Sequence, residues 1–160
     1  MNVNRAAFLD MLAVSEGTST SRATRNKGYD VIVTGVDGKP EVFSDYRNHP
    51  FANGRSAKQI NSKGLMSTAS GRYQFLVRDW AHYKDALGLP DFSPSSQDLW
   101  AIQLIRECSA LPLIDIGQFA LAVQHVAHLW ASLPGAGYAQ HENVMASLQT
   151  AYVNSGGSVA

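Results

Sequence analysis

The feature that most restricts this chain is a succession of apolar helical stripes through its second half, each closed by glycine or proline. In "GRYQFLVRDWAHYKDAL", Tyr73, Leu76, Trp80 and Leu87 give an apolar stripe, and Gly88 with Pro90 closes the run. "SPSSQDLWAIQLIRECSAL" follows, with Ser93 as cap and Pro94 at the first helical position, where a missing N–H costs nothing. Asp115 then caps "IGQFALAVQHVAHLWASL", in which Phe119, Val123, Val126 and Trp130 hold one face until Pro134, and a last helix is predicted from about Glu142 to Asn154. Stripes of this kind must bury against one another, so the fold is mostly helical.

The first half adds one more helix and one hairpin. Phe8, Leu9 and Leu12 fall near helical spacing behind an Asn4 cap and ahead of Gly17, which predicts a helix from about Arg5 to Glu16. "YDVIV" and "EVF" are β-prone runs on either side of "VDGKP", whose Asp37-Gly38 pair marks a tight turn. No other strand signal stands out. From His49 to Gly71 the sequence is polar, glycine-dotted and basic, without periodicity, and reads as a long loop with the character of a lid. The predicted class is α+β, mostly helical, with one small hairpin beside the first helix.

At 160 residues the chain has the size of one domain, and residues 1–160 are read as a single unit. Formal net charge is +0, from 13 basic and 13 acidic residues, so no global field recruits nucleic acid or an anionic membrane surface. Cys108, the only cysteine, excludes an intrachain disulfide and a cysteine-based zinc cluster, and points to a reducing compartment. The opening "MNVNRAAFLDMLAVSEG" interrupts its apolar run with arginine and aspartate, and the expectation is that the chain does not enter a secretory pathway by itself.

One acidic residue stands apart. Phe8, Leu12 and Glu16 lie on one helical face, so a carboxylate continues an apolar stripe at the helix end. Lost hydration and the negative end of the helix dipole both disfavour its charged form and raise its pKa. That is what a general acid needs to hold a proton near neutral pH. The competing reading is a frayed terminal residue in water. Glycosidic cleavage ordinarily uses a second carboxylate; the candidates Asp30, Asp37, Glu41 and Asp45 all lie on or beside the hairpin, where solubility or turn roles suffice to explain them.

The blocks "FLDMLAVSEGT", "TRNKGYDVIV", "DYRNHP", "SGRYQFL", "LGLPDFSPSSQD", "ALPLIDIG" and "WASLPGAGYAQ", in that order, resemble the lambda-type phage endolysins, lytic transglycosylases of the lysozyme superfamily that cut bacterial peptidoglycan. The resemblance spans nearly the whole chain and implies a lysozyme-like fold in which Glu16 of "SEGT" is the catalytic acid. Other phage lysozymes place an aspartate nine positions after such a glutamate. Here position 25 is arginine, in keeping with a family that works without a second catalytic carboxylate. The implied reaction cleaves the β-1,4 bond between N-acetylmuramic acid and N-acetylglucosamine and leaves 1,6-anhydro ends.

The same resemblance implies glycan contacts at Tyr46, Tyr73, Gln74, Tyr138 and Gln140. "SGRYQFL" would line the cleft, with Gln74 hydrogen-bonding acetamido groups and Tyr73 offering a ring face. Tyr73 also fits the helix stripe as a core residue, and both readings stand at this point; Arg72 is better explained as solvated. "SLPGAGYAQH" would form a lower lip facing an upper lip at about His49 to Ser62. Its glycines follow a helix and have no lysine nearby, which argues against a nucleotide site. His125 and His128 share helical spacing, but "HVAHLW" lacks the glutamate of the metalloprotease motif, so no metal and no cofactor are expected.

Two other readings remain open: a hydrolytic muramidase that uses water and a hairpin carboxylate, and a non-catalytic cell-wall binding or virion domain. The resemblance further implies synthesis in the host cytoplasm, dependence on a phage holin to reach the wall, and peptidoglycan strands as the partner. A monomer is the default for such an enzyme.

Overall fold

The computed structural model describes residues 2–138 and 141–160. Among these, the elements in chain order are α1 Val3–Ser15, β1 Val31–Ile32, β2 Glu41–Val42, β3 Lys58–Gln59, β4 Met66–Ser67, α2 Val77–Leu87, α3 Pro94–Glu107, α4 Leu111–Asp115, α5 Phe119–Val126 with a 3-10 turn at Ala127–Leu129, and α6 Met145–Asn154. No described helix is long and apolar enough to cross a membrane. The chain forms two compact units, one comprising the segment up to Glu16 together with Ala101–Ala160, the other Gly17–Trp100.

In the first unit α1 packs on α6 and α4. Its buried side, Ala7, Phe8, Met11 and Leu12, is wholly shielded from solvent. Phe8 meets Phe119 and Tyr152 edge-on at 6.1 and 6.4 Å, and Phe119 stacks on Tyr152 at 4.8 Å, so aromatic contact ties α1, α5 and α6 together. The cap of α1 is Asn2, whose side chain accepts from Asn4 N–H at 2.8 Å. Asn4, predicted to cap, is instead helical and donates to Ile114 O. Asp115 ends α4 rather than capping α5, and accepts a bidentate pair from Arg5 at 2.6 and 2.7 Å. Glu142 also lies outside its predicted helix: its carboxylate accepts from Gly135 N–H and Gly137 N–H, which fixes the preceding turn.

In the second unit an aromatic core gathers around Trp100, with Phe75 stacked on it at 4.0 Å and Trp80 and Tyr83 alongside. The predicted hairpin is present as the antiparallel β1–β2 pair, with Val31 opposite Val42. A second antiparallel pair, β3–β4, lies inside the stretch predicted to be an irregular loop. Each strand is two residues long and too short to show alternation, and the turn is set by Asn61, whose side chain accepts from Lys63 N–H and Leu65 N–H. The root of this stretch is anchored: His49 is buried, accepts from Phe51 N–H through Nδ1 and therefore donates from Nε2 to Phe75 O at 3.0 Å. Burial lowers its pKa, so it stays neutral.

Helix α2 begins six residues later than the stripe suggested. Gly71 and Gln74 both adopt positive φ, +79° and +53°, and Ser70 pairs with Phe75 across the turn they form. A helix cannot run through two left-handed residues. Leu76 is the residue that caps α2, and Gly88 closes it in the left-handed conformation, as predicted.

Candidate active site

Glu16 follows the last turn of α1 with helical backbone angles, and its N–H still donates to Leu12 O at 2.9 Å. It continues the face that buries Phe8 and Leu12 and is itself only partly exposed. Burial pushes its carboxyl from the ordinary 4.5 up to about 7, against the opposing effect of a hydrogen bond from Ser132. The helix end therefore carries a carboxyl that exchanges its proton near neutrality.

Three further side chains of the same unit stand behind it. Ser132 Oγ donates to Glu16 Oε1 at 2.5 Å and lies 2.7 Å from Ser15 Oγ. The Asn143 amide nitrogen is 3.1 Å from each of Ser15 O, Ser15 Oγ and Ser132 O. None of the three was singled out from the sequence: Ser132 is 116 residues from Glu16, and small polar residues in turns carry no periodic signal. The serine next to the glutamate, Ser15, is only 8% exposed, which its place on the helix stripe does not announce.

The hairpin carboxylates are all engaged within the second unit. Asp30 is buried and accepts from the Thr24 hydroxyl and from Arg25 N–H at 2.8 Å. Glu41 pairs with Arg55 and Lys58, and those cations hold its pKa below the usual range. Asp45 is pulled down to about 2 by hydrogen bonds from Arg47. Asp37 accepts from Lys39 N–H inside its turn.

Of the glycan contacts implied by resemblance, Tyr46 is half-buried. It lines a cavity of about 450 Å³ with Arg25, Asn26, Asp30 and Phe43, and accepts a hydrogen bond from Asn26. Tyr73 does not offer a ring face. It is 1% exposed, packs edge-on to Tyr29 and donates to Asp98 at 2.6 Å, sharing that oxygen with the Tyr29 hydroxyl. The core reading is correct because the turn at Gly71–Gln74 folds the ring inward. Arg72 is likewise not solvated: it is 5% exposed, lies over the Tyr29 ring and donates to Lys27 O. Gln74 is partly exposed and donates from Nε2 to Gly71 O. Tyr138, in the first unit, is 53% exposed with its hydroxyl donating to His128 O. Gln140 lies outside the described residues. His125 and His128 both face Cys108, at its carbonyl (3.0 Å) and its sulfur (3.8 Å) respectively. Among the described residues no three metal-ligating side chains of the His, Cys, Asp and Glu type come together.

The profile of the family described as Endolysin matches residues 6–159. The endolysin of Escherichia phage P2 is 59% identical over 154 residues, spanning 96% of this chain and 93% of the relative. The endolysin of Escherichia phage lambda is 51% identical over 160 residues, with 99% and 95% coverage. The solved structure of bacteriophage lambda lysozyme complexed with a chitohexasaccharide superposes with a TM-score of 0.90 at 50% identity, covering 100% of this chain and 98% of that one. A second structure of lysozyme from bacteriophage lambda gives 0.85 at 49% identity, with the same coverage. The fold is lysozyme-like, and the chain belongs to the endolysin family.

Proposed function

We propose that this chain cleaves the β-1,4 bond between N-acetylmuramic acid and N-acetylglucosamine in bacterial peptidoglycan by lytic transglycosylation, with Glu16 as acid and then base. The observation that carries the reading is a single carboxyl whose pKa lies near 7, while each hairpin carboxylate is occupied by partners of its own. A glycan polymer as substrate is supported by the relative solved with a chitohexasaccharide.

In the first step the protonated Glu16 gives its proton to the bridging oxygen, the bond from C1 breaks, and the N-acetylglucosamine side leaves as an alcohol. The neighbouring acetamido oxygen stabilises the cationic C1. In the second step the Glu16 carboxylate takes the proton of the muramic acid 6-hydroxyl as that oxygen bonds to C1. The nucleophile is tethered to the reacting ring, so the step has the high effective concentration of an intramolecular attack and needs no positioned water. Glu16 ends as it began. Tyr46, Gln74, Tyr138 and Gln140 are proposed as glycan contacts.

Digestion of purified peptidoglycan followed by mass spectrometry of the new termini tests the mechanism. Anhydro-muramic ends are expected; reducing ends would mean that water attacks and would replace this reading with a muramidase. We further propose a single catalytic unit that works as a monomer and accumulates in the host cytoplasm, reaching the wall after a holin opens the membrane. Expression of the chain alone should then leave cells intact until the membrane is permeabilised, and prompt lysis without that treatment would contradict the dependence.

A further inference from the structure

We infer that Asn143, Ser15 and Ser132 form a hydrogen-bond relay of fixed polarity that holds Glu16 Oε1 as an acceptor and reserves Oε2 for the proton delivered to the glycosidic oxygen. The inference rests on Glu16 serving as acid and base, and it makes Ser132 a positioning residue that acts through Glu16.

The polarity follows from what each group can donate. The Asn143 side chain faces two backbone carbonyls, Ser15 O and Ser132 O, each at 3.1 Å. Carbonyls only accept, so the amide nitrogen and not its oxygen must point at them. The backbone N–H of Asn143 adds a 2.8 Å bond to Ser132 O, which pins the residue in place. An amide nitrogen has two N–H groups and no lone pair to offer, so Ser15 Oγ, 3.1 Å away, can at most share an N–H already turned to a carbonyl and cannot donate to the nitrogen. The Ser15 proton is therefore directed to Ser132 Oγ at 2.7 Å. A hydroxyl donates once, and Ser132 spends its proton on Glu16 Oε1 at 2.5 Å, a length typical of a hydroxyl on a charged carboxylate.

The reverse direction gives up a bond at its far end. If Glu16 carried its proton on Oε1 and donated to Ser132, the Ser132 proton would turn to Ser15, and the Ser15 proton would have to leave the relay, whose last member is an amide nitrogen that cannot accept it. The relay thus keeps one orientation in both protonation states of Glu16. In the acid form the proton is left on Oε2. In the base form Oε1 already accepts from Ser132, which draws off part of its charge, and Oε2 is the more basic oxygen to take the proton of the 6-hydroxyl. The three residues come from the end of α1, from the turn after the 3-10 segment, and from the stretch before α6, so the orientation is set by tertiary structure.

The test is steady-state kinetics on a soluble muropeptide oligomer for Ser132→Ala, Ser132→Thr, Ser15→Ala and Glu16→Gln, with thermal unfolding of each. Ser132→Ala should lower kcat by about 10- to 100-fold, the range for removing a hydrogen bond to a charged group, with KM within about twofold. Ser132→Thr keeps the hydroxyl and should recover most of the lost kcat, and Ser15→Ala should fall between the two. Wild-type kcat in Ser132→Ala, or a kcat loss in Ser132→Thr as large as in Ser132→Ala, would overturn the relay. The Glu16→Gln control separates the two levels: if it is inactive, the serine variants judge the relay alone; if it is active, the acid–base reading fails and the relay with it.

Discussion

Replacing Glu16 by Gln should lower turnover on peptidoglycan by about 10³-fold or more while leaving the fold and the affinity for wall material intact. A single general acid or base is worth roughly 10²- to 10⁴-fold, and in the proposed mechanism one carboxyl performs both transfers. Gln matches its shape and can still accept from Ser132 Oγ through its carbonyl oxygen, so the loss isolates the proton. Lysis assays with matched binding measurements check it. Unchanged lysis would remove Glu16 from the chemistry altogether, and wall binding without cleavage by the unmodified protein would place the chain among non-catalytic binding domains.

The same carboxyl sets the pH dependence. With its pKa raised by burial to about 7, Glu16 carries the proton that bond cleavage needs below that value and loses it above, so the activity should decline as pH rises through about 7. Stability runs the same way. A carboxyl that titrates at 4.5 when exposed and near 7 when folded binds its proton more tightly in the native state, so native stability falls between those two values and levels off above them. Glu16→Gln has no charge to bury and should gain stability over wild type across that window. A proposed catalytic group held against its solvation preference is strain that the rest of the fold must carry.

What the sequence made legible follows period and punctuation. Pro94 opens α3 and Gly88 closes α2 where they were expected, because their backbone chemistry acts locally. The stripe through Phe8 and Leu12 placed Glu16 at the end of α1 because helical period is local too. The stripe rightly made Tyr73 a core residue but put it on a helix that the turn from Gly71 to Gln74 prevents, and a residue such as Gln74 at φ +53° is not announced by its type. The second hairpin escaped because two-residue strands held by an asparagine turn show no alternation. Ser132 and Asn143 escaped because their importance lies in contacts made over more than a hundred residues, which only the folded chain brings together.

Gly71→Ala should be among the most damaging small substitutions in the chain, costing about 3–5 kcal/mol. A methyl at this position would lie 2.3 Å from Gln97 Oε1 and 2.8 Å from its Cδ. Gln97 cannot step aside cheaply. It is wholly buried, its oxygen accepts from Arg72 N–H at 2.8 Å, and its nitrogen donates to Tyr29 O and Phe92 O at 3.0 and 2.9 Å. Moving it would break bonds worth roughly 1–3 kcal/mol each when their partners stay buried. The backbone adds its own cost of about 1–2 kcal/mol, since φ is +79° and a side chain is disfavoured there. Gly38→Ala supplies the control: φ is +66° with open space around the site, so only the backbone cost of about 1 kcal/mol applies. Denaturant midpoints for the two variants should differ several-fold in their shift from wild type, with unchanged slopes. Equal shifts would mean that Gln97 yields and that the turn carrying Tyr73 and Gln74 is set by backbone preference alone; the larger shift at Gly71 would show that this turn is clamped from α3, which is how a segment without regular structure can hold its side chains in fixed positions.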